Sequence, residues 1–189
     1  MRVIAGIAKG RRLKSLPGSA TRPITDRVKE ALFGTLGPRL EGAHFLDLFA
    51  GTGSVGIEAL SRGAERAVFV DQARKAVELI KENLALTGLT DRGRVIRQDV
   101  FRFMRKGAEA PFDIVYLAPP QYRGLWAETL RALDGHQEIL KPGGLIIAQM
   151  HPKEYQELRL ETLGLQERRK YGSTLLCFYS QKEPGHESN

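Results

Sequence analysis

Cysteine is almost absent: Cys177 stands alone in 189 residues. A single thiol excludes an intrachain disulfide and any zinc site built on cysteines. Histidine is scarce too, and neither His136 nor His151 stands at ligand spacing with another candidate, so no metal is expected. No apolar run approaches the ~20 residues that a membrane-crossing helix needs. Met1 is followed at once by Arg2, without the apolar stretch of a secretory signal. The expectation is a cytoplasmic protein with no membrane association. Repeats and low-complexity linkers are also missing. What remains is a chain with 42% apolar residues, enough for one domain with a full core and a small appendage.

The charge is unevenly placed. The chain carries a formal +7, and residues 1–40 alone hold nine Lys/Arg against Asp26 and Glu30, so the remainder is balanced. Concentration of the whole excess in one fifth of the chain points to contact with a polyanion rather than to an ordinary solvated face.

The stretch Phe45–Gly56, F-L-D-L-F-A-G-T-G-S-V-G, organises the rest. An apolar strand interrupted by Asp47 runs into Phe49-Ala50-Gly51-Thr52-Gly53, and helix-compatible residues follow. Glycines at such a turn let the backbone lie close against a ligand, with the first helical N–H groups facing the same space. Twenty residues after Gly51 a second apolar strand ends at Asp71, followed by Gln72. An acid there can accept hydrogen bonds from both hydroxyls of a ribose. A dinucleotide and S-adenosylmethionine both suit this geometry. Asp47 favours S-adenosylmethionine, because a carboxylate before the turn repels a pyrophosphate and suits a cationic ligand.

Along the chain, Arg2 to Lys14 reads as a small hairpin with Gly10 near its bend, and Pro17-Gly18 as a turn. A helix follows, capped by Thr25 or Asp26, with Val28, Ala31, Leu32 and Leu36 on one face and Gly37-Pro38 as its stop. From Phe45 onward strands and helices alternate. A helix over 73–87 is capped by Gly88, and a third strand, 94–98, ends at Asp99, which suits either an adenine amine or the N-cap of the next helix. A fourth strand, Phe112 to Leu117, runs into Ala118-Pro119-Pro120-Gln121-Tyr122. Lys141-Pro142-Gly143-Gly144 introduces a fifth, 145–150. The last segments, 165–171 and 174–179, read as a terminal hairpin in which Cys177 is a small core residue, and the chain from Gln181 as a frayed tail. This pattern predicts an α/β fold, a mostly parallel, doubly wound sheet with a C-terminal antiparallel hairpin, with sites at the carboxyl ends of the strands.

Three stretches carry a family resemblance: Arg2-Val3-Ile4-Ala5-Gly6 with Lys9-Gly10-Arg11-Arg12-Leu13, Arg22-Pro23-Ile24-Thr25-Asp26-Arg27-Val28-Lys29-Glu30-Ala31-Leu32-Phe33, and Leu46-Asp47-Leu48-Phe49-Ala50-Gly51-Thr52-Gly53. With them the chain resembles the RsmD family, bacterial enzymes that methylate a guanine N2 in 16S ribosomal RNA. The resemblance implies a Rossmann-like Class I methyltransferase fold with S-adenosylmethionine as donor, and 16S rRNA or the small ribosomal subunit as partner. It implies that Asp71 holds the ribose and that Asp99 and Val100 border the adenine. The basic candidates for RNA contact are Arg11, Arg12, Lys14, Arg22 and Arg27. Residues 1–40 then form an RNA-binding extension, 41–181 the methyltransferase domain and 182–189 a flexible tail, in a chain expected to act as a monomer.

The sequence departs from that family after the fourth strand. The family pattern is Asp or Asn, then Pro-Pro, then an aromatic, whereas this chain has Ala118-Pro119-Pro120-Gln121. A guanine N2 lone pair is delocalised into the ring. Acceptors on its two hydrogens, one a side-chain oxygen and one the Pro119 carbonyl, help to localise it for attack, and an aromatic face holds the base. Ala118 supplies no such oxygen. Gln121 is the candidate replacement acceptor and Tyr122 the candidate stacking ring. The rival readings are an RNA-binding or assembly factor that keeps the fold without turnover and, from the glycine pattern and Asp71 alone, an NAD(P)-linked oxidoreductase.

Overall fold

A computed structural model describes residues 1–15 and 24–183. The expected Pro17-Gly18 turn, Arg22 and residues 184–189 lie outside the described residues. The element order is α1 (Asp26–Leu36), β1 (His44–Leu48), α2 (Ser54–Ser61), β2 (Arg66–Asp71), α3 (Arg74–Thr87), β3 (Gly93–Arg97), α4 (Val100–Lys106), β4 (Phe112–Leu117), α5 (Leu125–Gly135), β5 (Leu140–Met150), β6 (Leu163–Tyr171) and β7 (Thr174–Gln181).

The strands form one seven-stranded sheet in the order β3-β2-β1-β4-β5-β7-β6. β1 to β5 are parallel, and β7 and β6 run antiparallel at one edge. The order reverses direction between β1 and β4, so a crevice opens beyond the carboxyl ends of these two neighbours. Alternation along the buried strands separates two apolar layers. Phe45, Phe69, Ile114, Tyr116 and Ile147 pack with α1, α2 and α3 on one face. Leu46, Leu48, Val70, Val115 and Leu117 pack with α4 and α5 on the other. Cys177 is buried in the second layer, and burial pushes its thiol up to about 11, away from nucleophilic use.

Local chemistry explains the helix ends. The Thr25 hydroxyl accepts the Val28 N–H at 3.3 Å and caps α1, and Gly37 closes it. Gly88, left-handed at φ 71°, closes α3. The expected N-terminal hairpin is reduced to a single antiparallel bridge, Arg2 to Arg12, with Gly10 N–H donating to the Val3 carbonyl at 2.9 Å. Val3 N–H also donates to the Arg11 carbonyl and Leu13 N–H to the Met1 carbonyl, each at 3.0 Å, while Ile4, Ala5, Ile7 and Ala8 donate to Glu58 and Ser61 of α2. Val3, Ala8 and Leu13 enter the same apolar layer as α1 and α2, so this segment shares the core of the sheet.

Two boundaries differ from expectation. β5 begins at Leu140, opposite Phe112, bulges out over Lys141–Gly144 and rejoins β4 where Leu145 meets Ile114. Gly143, at φ 74°, allows the excursion, and Lys141 Nζ anchors it to Asp113 at 2.7 Å. The tail also begins later than expected. Gln181 ends β7, and Lys182 donates its N–H to the Thr162 carbonyl at 2.8 Å and its ammonium to the Leu160 carbonyl at 2.7 Å.

Candidate active site

The turn after β1 is built by its neighbours. Gly51 and Gly53 sit at φ 57° and 74°, in the left-handed region that L side chains rarely adopt. A Cβ on Gly53 would also press on Ile80 of α3 at 3.1 Å. Asp71 ties this turn to β2: one oxygen accepts the Gly51 N–H and the other the Ala73 N–H, each at 2.9 Å. A carboxylate oxygen takes more than one donor, so both atoms retain acceptor capacity for ribose hydroxyls. The acid predicted from sequence thus fixes the loop.

The turn has a further support that sequence reasoning missed. Asn83 of α3 is fully buried, donates to the Thr52 carbonyl at 2.9 Å and to the Lys14 carbonyl at 3.1 Å, and accepts the Lys14 N–H at 2.8 Å. One amide therefore joins the glycine turn to the basic N-terminal segment. The available signal was a polar residue three places after Ile80, on the apolar stripe of α3.

Asp47 lies beneath the turn, 2% exposed, and accepts the Gly56 N–H at 3.0 Å. Burial, together with the nearby Asp71, outweighs that hydrogen bond and pushes its carboxyl up to about 8. At neutral pH it is protonated, and a cation brought beside it favours its ionised form. Asp99 caps α4, accepting the Arg102 N–H at 2.9 Å, and remains exposed; Val100 beside it is buried. Gln72 is exposed, with its carbonyl accepting from Arg97 at 3.4 Å. Phe49 and Ala50 occupy the mouth of the turn, where Phe49 holds φ 60°.

Across the crevice, Ala118 N–H donates to the Leu48 carbonyl at 3.4 Å, which brings the Pro119–Pro120 loop alongside the β1 turn. Tyr122, also at φ 60°, is the counterpart of Phe49; these are the positive-φ non-glycine residues among those described. Left-handed backbone at two bulky residues, one at the carboxyl end of each switch-point strand, stores strain where a ligand is expected. Tyr122 N–H donates to Glu154 at 2.6 Å and its ring lies 5.5 Å from the His151 ring. Gln121 faces the other way. It lines a cavity of about 330 Å3 together with Arg27 of α1, Gln149 of β5, and Lys170, Tyr171 and Thr174 at the β6–β7 turn. The two loop candidates therefore flank the site on different sides.

Of the basic residues, Lys14 is tied to the glycine turn through Asn83 and Arg27 lines the cavity. Arg11 and Arg12 are exposed, Lys14 pairs with Glu82 at 3.0 Å, and Arg27 is exposed at the cavity rim. Beneath them lies a buried cluster not anticipated from sequence. Glu58, fully buried on α2, accepts the Ile4 and Ala5 N–H groups at 2.9 and 3.0 Å and pairs with Lys29 at 3.3 Å and Arg62 at 2.8 Å. Lys29 Nζ donates to the Arg2 carbonyl at 2.6 Å. Ser61 accepts the Ala8 N–H at 2.9 Å and donates to the Ala5 carbonyl at 2.6 Å. Contact there is so close that a Cβ on Gly6, at φ 82°, would overlap the Ser61 carbonyl. No cluster of metal-ligating side chains occurs among the described residues.

A family model described as Conserved hypothetical protein 95 matches residues 1–180. The chain belongs to this family, the RsmD family. A Bacillus subtilis relative, YlbH, named provisionally as an rRNA methyltransferase, is 41% identical over 187 residues, covering 96% of this chain and all of that one. The RsmD relative from Haemophilus influenzae, named Ribosomal RNA small subunit methyltransferase D, is 36% identical and covers 90% of this chain and 93% of its own. Among solved structures, an Escherichia coli protein described provisionally as a methyltransferase superposes with a TM-score of 0.84 at 32% identity, covering 96% of this chain and 98% of that one. The expected fold class is confirmed by these neighbours and by the sheet itself.

Proposed function

We propose that this protein transfers a methyl group from S-adenosylmethionine to the exocyclic N2 of a guanine in 16S rRNA, within a small ribosomal subunit particle. The observation that carries the reading is the juxtaposition at the switch point of the Asp71-braced Gly51–Gly53 turn and the Pro119–Pro120 loop. The RsmD relatives, named for small-subunit rRNA methylation, support the substrate.

The residues present fit the cofactor. Asp71 offers acceptors to a ribose, Asp99 and the buried Val100 border a place for adenine, and the glycine turn leaves room where side chains would intrude. Phe49, Ala50, Thr52 and Gln72 line the approach, and Asp47 sits below as a carboxyl that a positive centre can ionise. S-adenosylmethionine supplies a methyl group on a cationic sulfur, open to attack by a nucleophile. The protein's own residues position the guanine amine and accept its hydrogens: the Pro119 carbonyl takes one, and the Gln121 amide oxygen takes the other in place of the oxygen that Ala118 lacks. Tyr122, held by Glu154 and set against the His151 ring, braces the far side of the loop. Arg11, Arg12, Lys14, Arg22 and Arg27 meet RNA phosphates. The protein acts as a cytoplasmic monomer with no resident metal.

Ala118 favours one rival, an rRNA-binding assembly factor without turnover. Family membership leaves the NAD(P) oxidoreductase without support. Transfer of labelled methyl to small subunits lacking the modification, with the natural protein beside Ala118→Asp, separates the two remaining readings. The natural protein is expected to yield N2-methylguanosine. One lost transition-state partner typically costs about 10²- to 10³-fold, so Ala118→Asp is expected to be equally fast or faster. Label from the variant alone identifies the assembly factor; silence from both rejects the substrate.

A further inference from the structure

We propose that the 330 Å3 cavity between α1, the β4 loop and the β6–β7 turn is the acceptor-base pocket, and that Gln149 is the residue that reads guanine there, by donating an amide N–H to the base O6. The inference rests on the methyl-transfer reading and adds to it the determinant of base identity.

The volume lies at the lower end of small-ligand pockets, roughly 300–1,000 Å3. Its charged lining residues are Arg27 and Lys170, with no carboxylate among the described ones, which suits a base carrying its phosphate at the rim. Position links it to the reaction: Gln121 is shared with the catalytic loop, and Ala118, just past β4, packs against the same apolar layer as Tyr116.

The Tyr116 hydroxyl orients the amide. Tyr116 is 2% exposed, and its hydroxyl donates to Gln149 Oε1 at 2.6 Å. Burial and the neighbouring Asp47 raise the Tyr116 phenol well above its ordinary value, so it keeps the proton it donates. With the Tyr116 proton on Oε1, the NH2 group of Gln149, which has only donors, is left to donate. The Watson–Crick edge of guanine carries O6, an acceptor, beside the two donors N1–H and N2–H2. A base with its N2 amine at Pro119 and Gln121 therefore turns its O6 toward a donor. Adenine places an amine where O6 would be, so donor would face donor. Gln149 also stands out as a polar residue in the apolar run Leu145–Met150.

The test uses the full-length protein and small subunits assembled with guanine or 2-aminopurine at the methylated position, mapped first from the natural protein's product. The analogue keeps the amine, lacks O6 and carries an N1 acceptor in place of N1–H; the N1 change is the same for natural and variant proteins, so the difference between them reports on O6. kcat/KM for the natural protein is expected to favour guanine by about 10-fold, the scale of one hydrogen bond. In Gln149→Leu that preference should vanish because guanine falls to the level of the analogue, with S-adenosylmethionine affinity retained. Tyr116→Phe, which releases the amide, should shrink the preference in the same direction and carries the test if the leucine variant does not fold. Equal loss on both bases, or an unchanged preference, overturns the role of Gln149. Absence of any methylated guanine with the natural protein overturns the methyl-transfer reading first, and the pocket assignment with it.

Discussion

Two acids, Asp47 and Glu58, are buried on the same side of the sheet and have opposite surroundings. Glu58 is met from every direction by donors: Lys29, Arg62 and two backbone amides. Asp47 accepts from Gly56 and faces a second carboxylate, Asp71, across the turn, with its own carboxyl raised to about 8. Burial is common to both, so burial does not decide their roles. The company each side chain keeps makes Glu58 a fastener for the N-terminal segment and leaves Asp47 responsive to a positive ligand.

Breaking the fastener should have the largest effect. Glu58→Ala leaves the Lys29 ammonium buried without its carboxylate, a change that costs about 3–5 kcal/mol. Urea unfolding should show it as a lower midpoint with little change in slope.

The comparison sharpens with Asp47→Asn. Between pH 4 and 8 the folded protein holds a proton on Asp47 that the unfolded chain has released, so the natural protein loses stability as pH rises through this window and levels off above about 8. The asparagine lacks that slope. Thermal unfolding of both proteins from pH 5 to 8.5 should show the variant gaining on the natural protein as pH rises, by an amount on the order of a few kcal/mol; parallel curves would refute the assignment.

A smaller effect is expected at Asn83, which touches both regions. Asn83→Ala removes three hydrogen bonds and strands backbone groups of Lys14 and Thr52, for about 1–3 kcal/mol. Hydrogen exchange should speed up in residues 1–15 and in the Gly51–Gly53 turn together, because one side chain holds both.

The legible part of the sequence was the part governed by local rules. An acid inside the first apolar strand, strands ending at Asp71 and Asp99, glycines at turns, and Thr25 before a helix each announce themselves within a few residues. Glu58 and Asn83 did not, because the backbone amides that Glu58 accepts lie 53–54 residues away and the partners of Asn83 31–69. From sequence, Glu58 is a charge in an otherwise apolar helix and Asn83 a flaw in an amphipathic stripe. The early start of β5 was missed for a different reason: Pro142-Gly143-Gly144 reads as a strand boundary, yet Gly143 lets the chain bulge and resume pairing. Gln121 and Tyr122 were adjacent in sequence and were expected to act on one base. Positive φ at Tyr122 sends its ring toward His151 and leaves Gln121 at the cavity.

The seating of residues 2–8 against Glu58 and Ser61 changes what a deletion means. Removing that segment to test for an RNA contact would uncover an acid, a hydroxyl and several apolar side chains of the core, and the loss measured would be that of the scaffold. Charge reversal at Arg11, whose side chain is exposed, asks the question of the RNA alone.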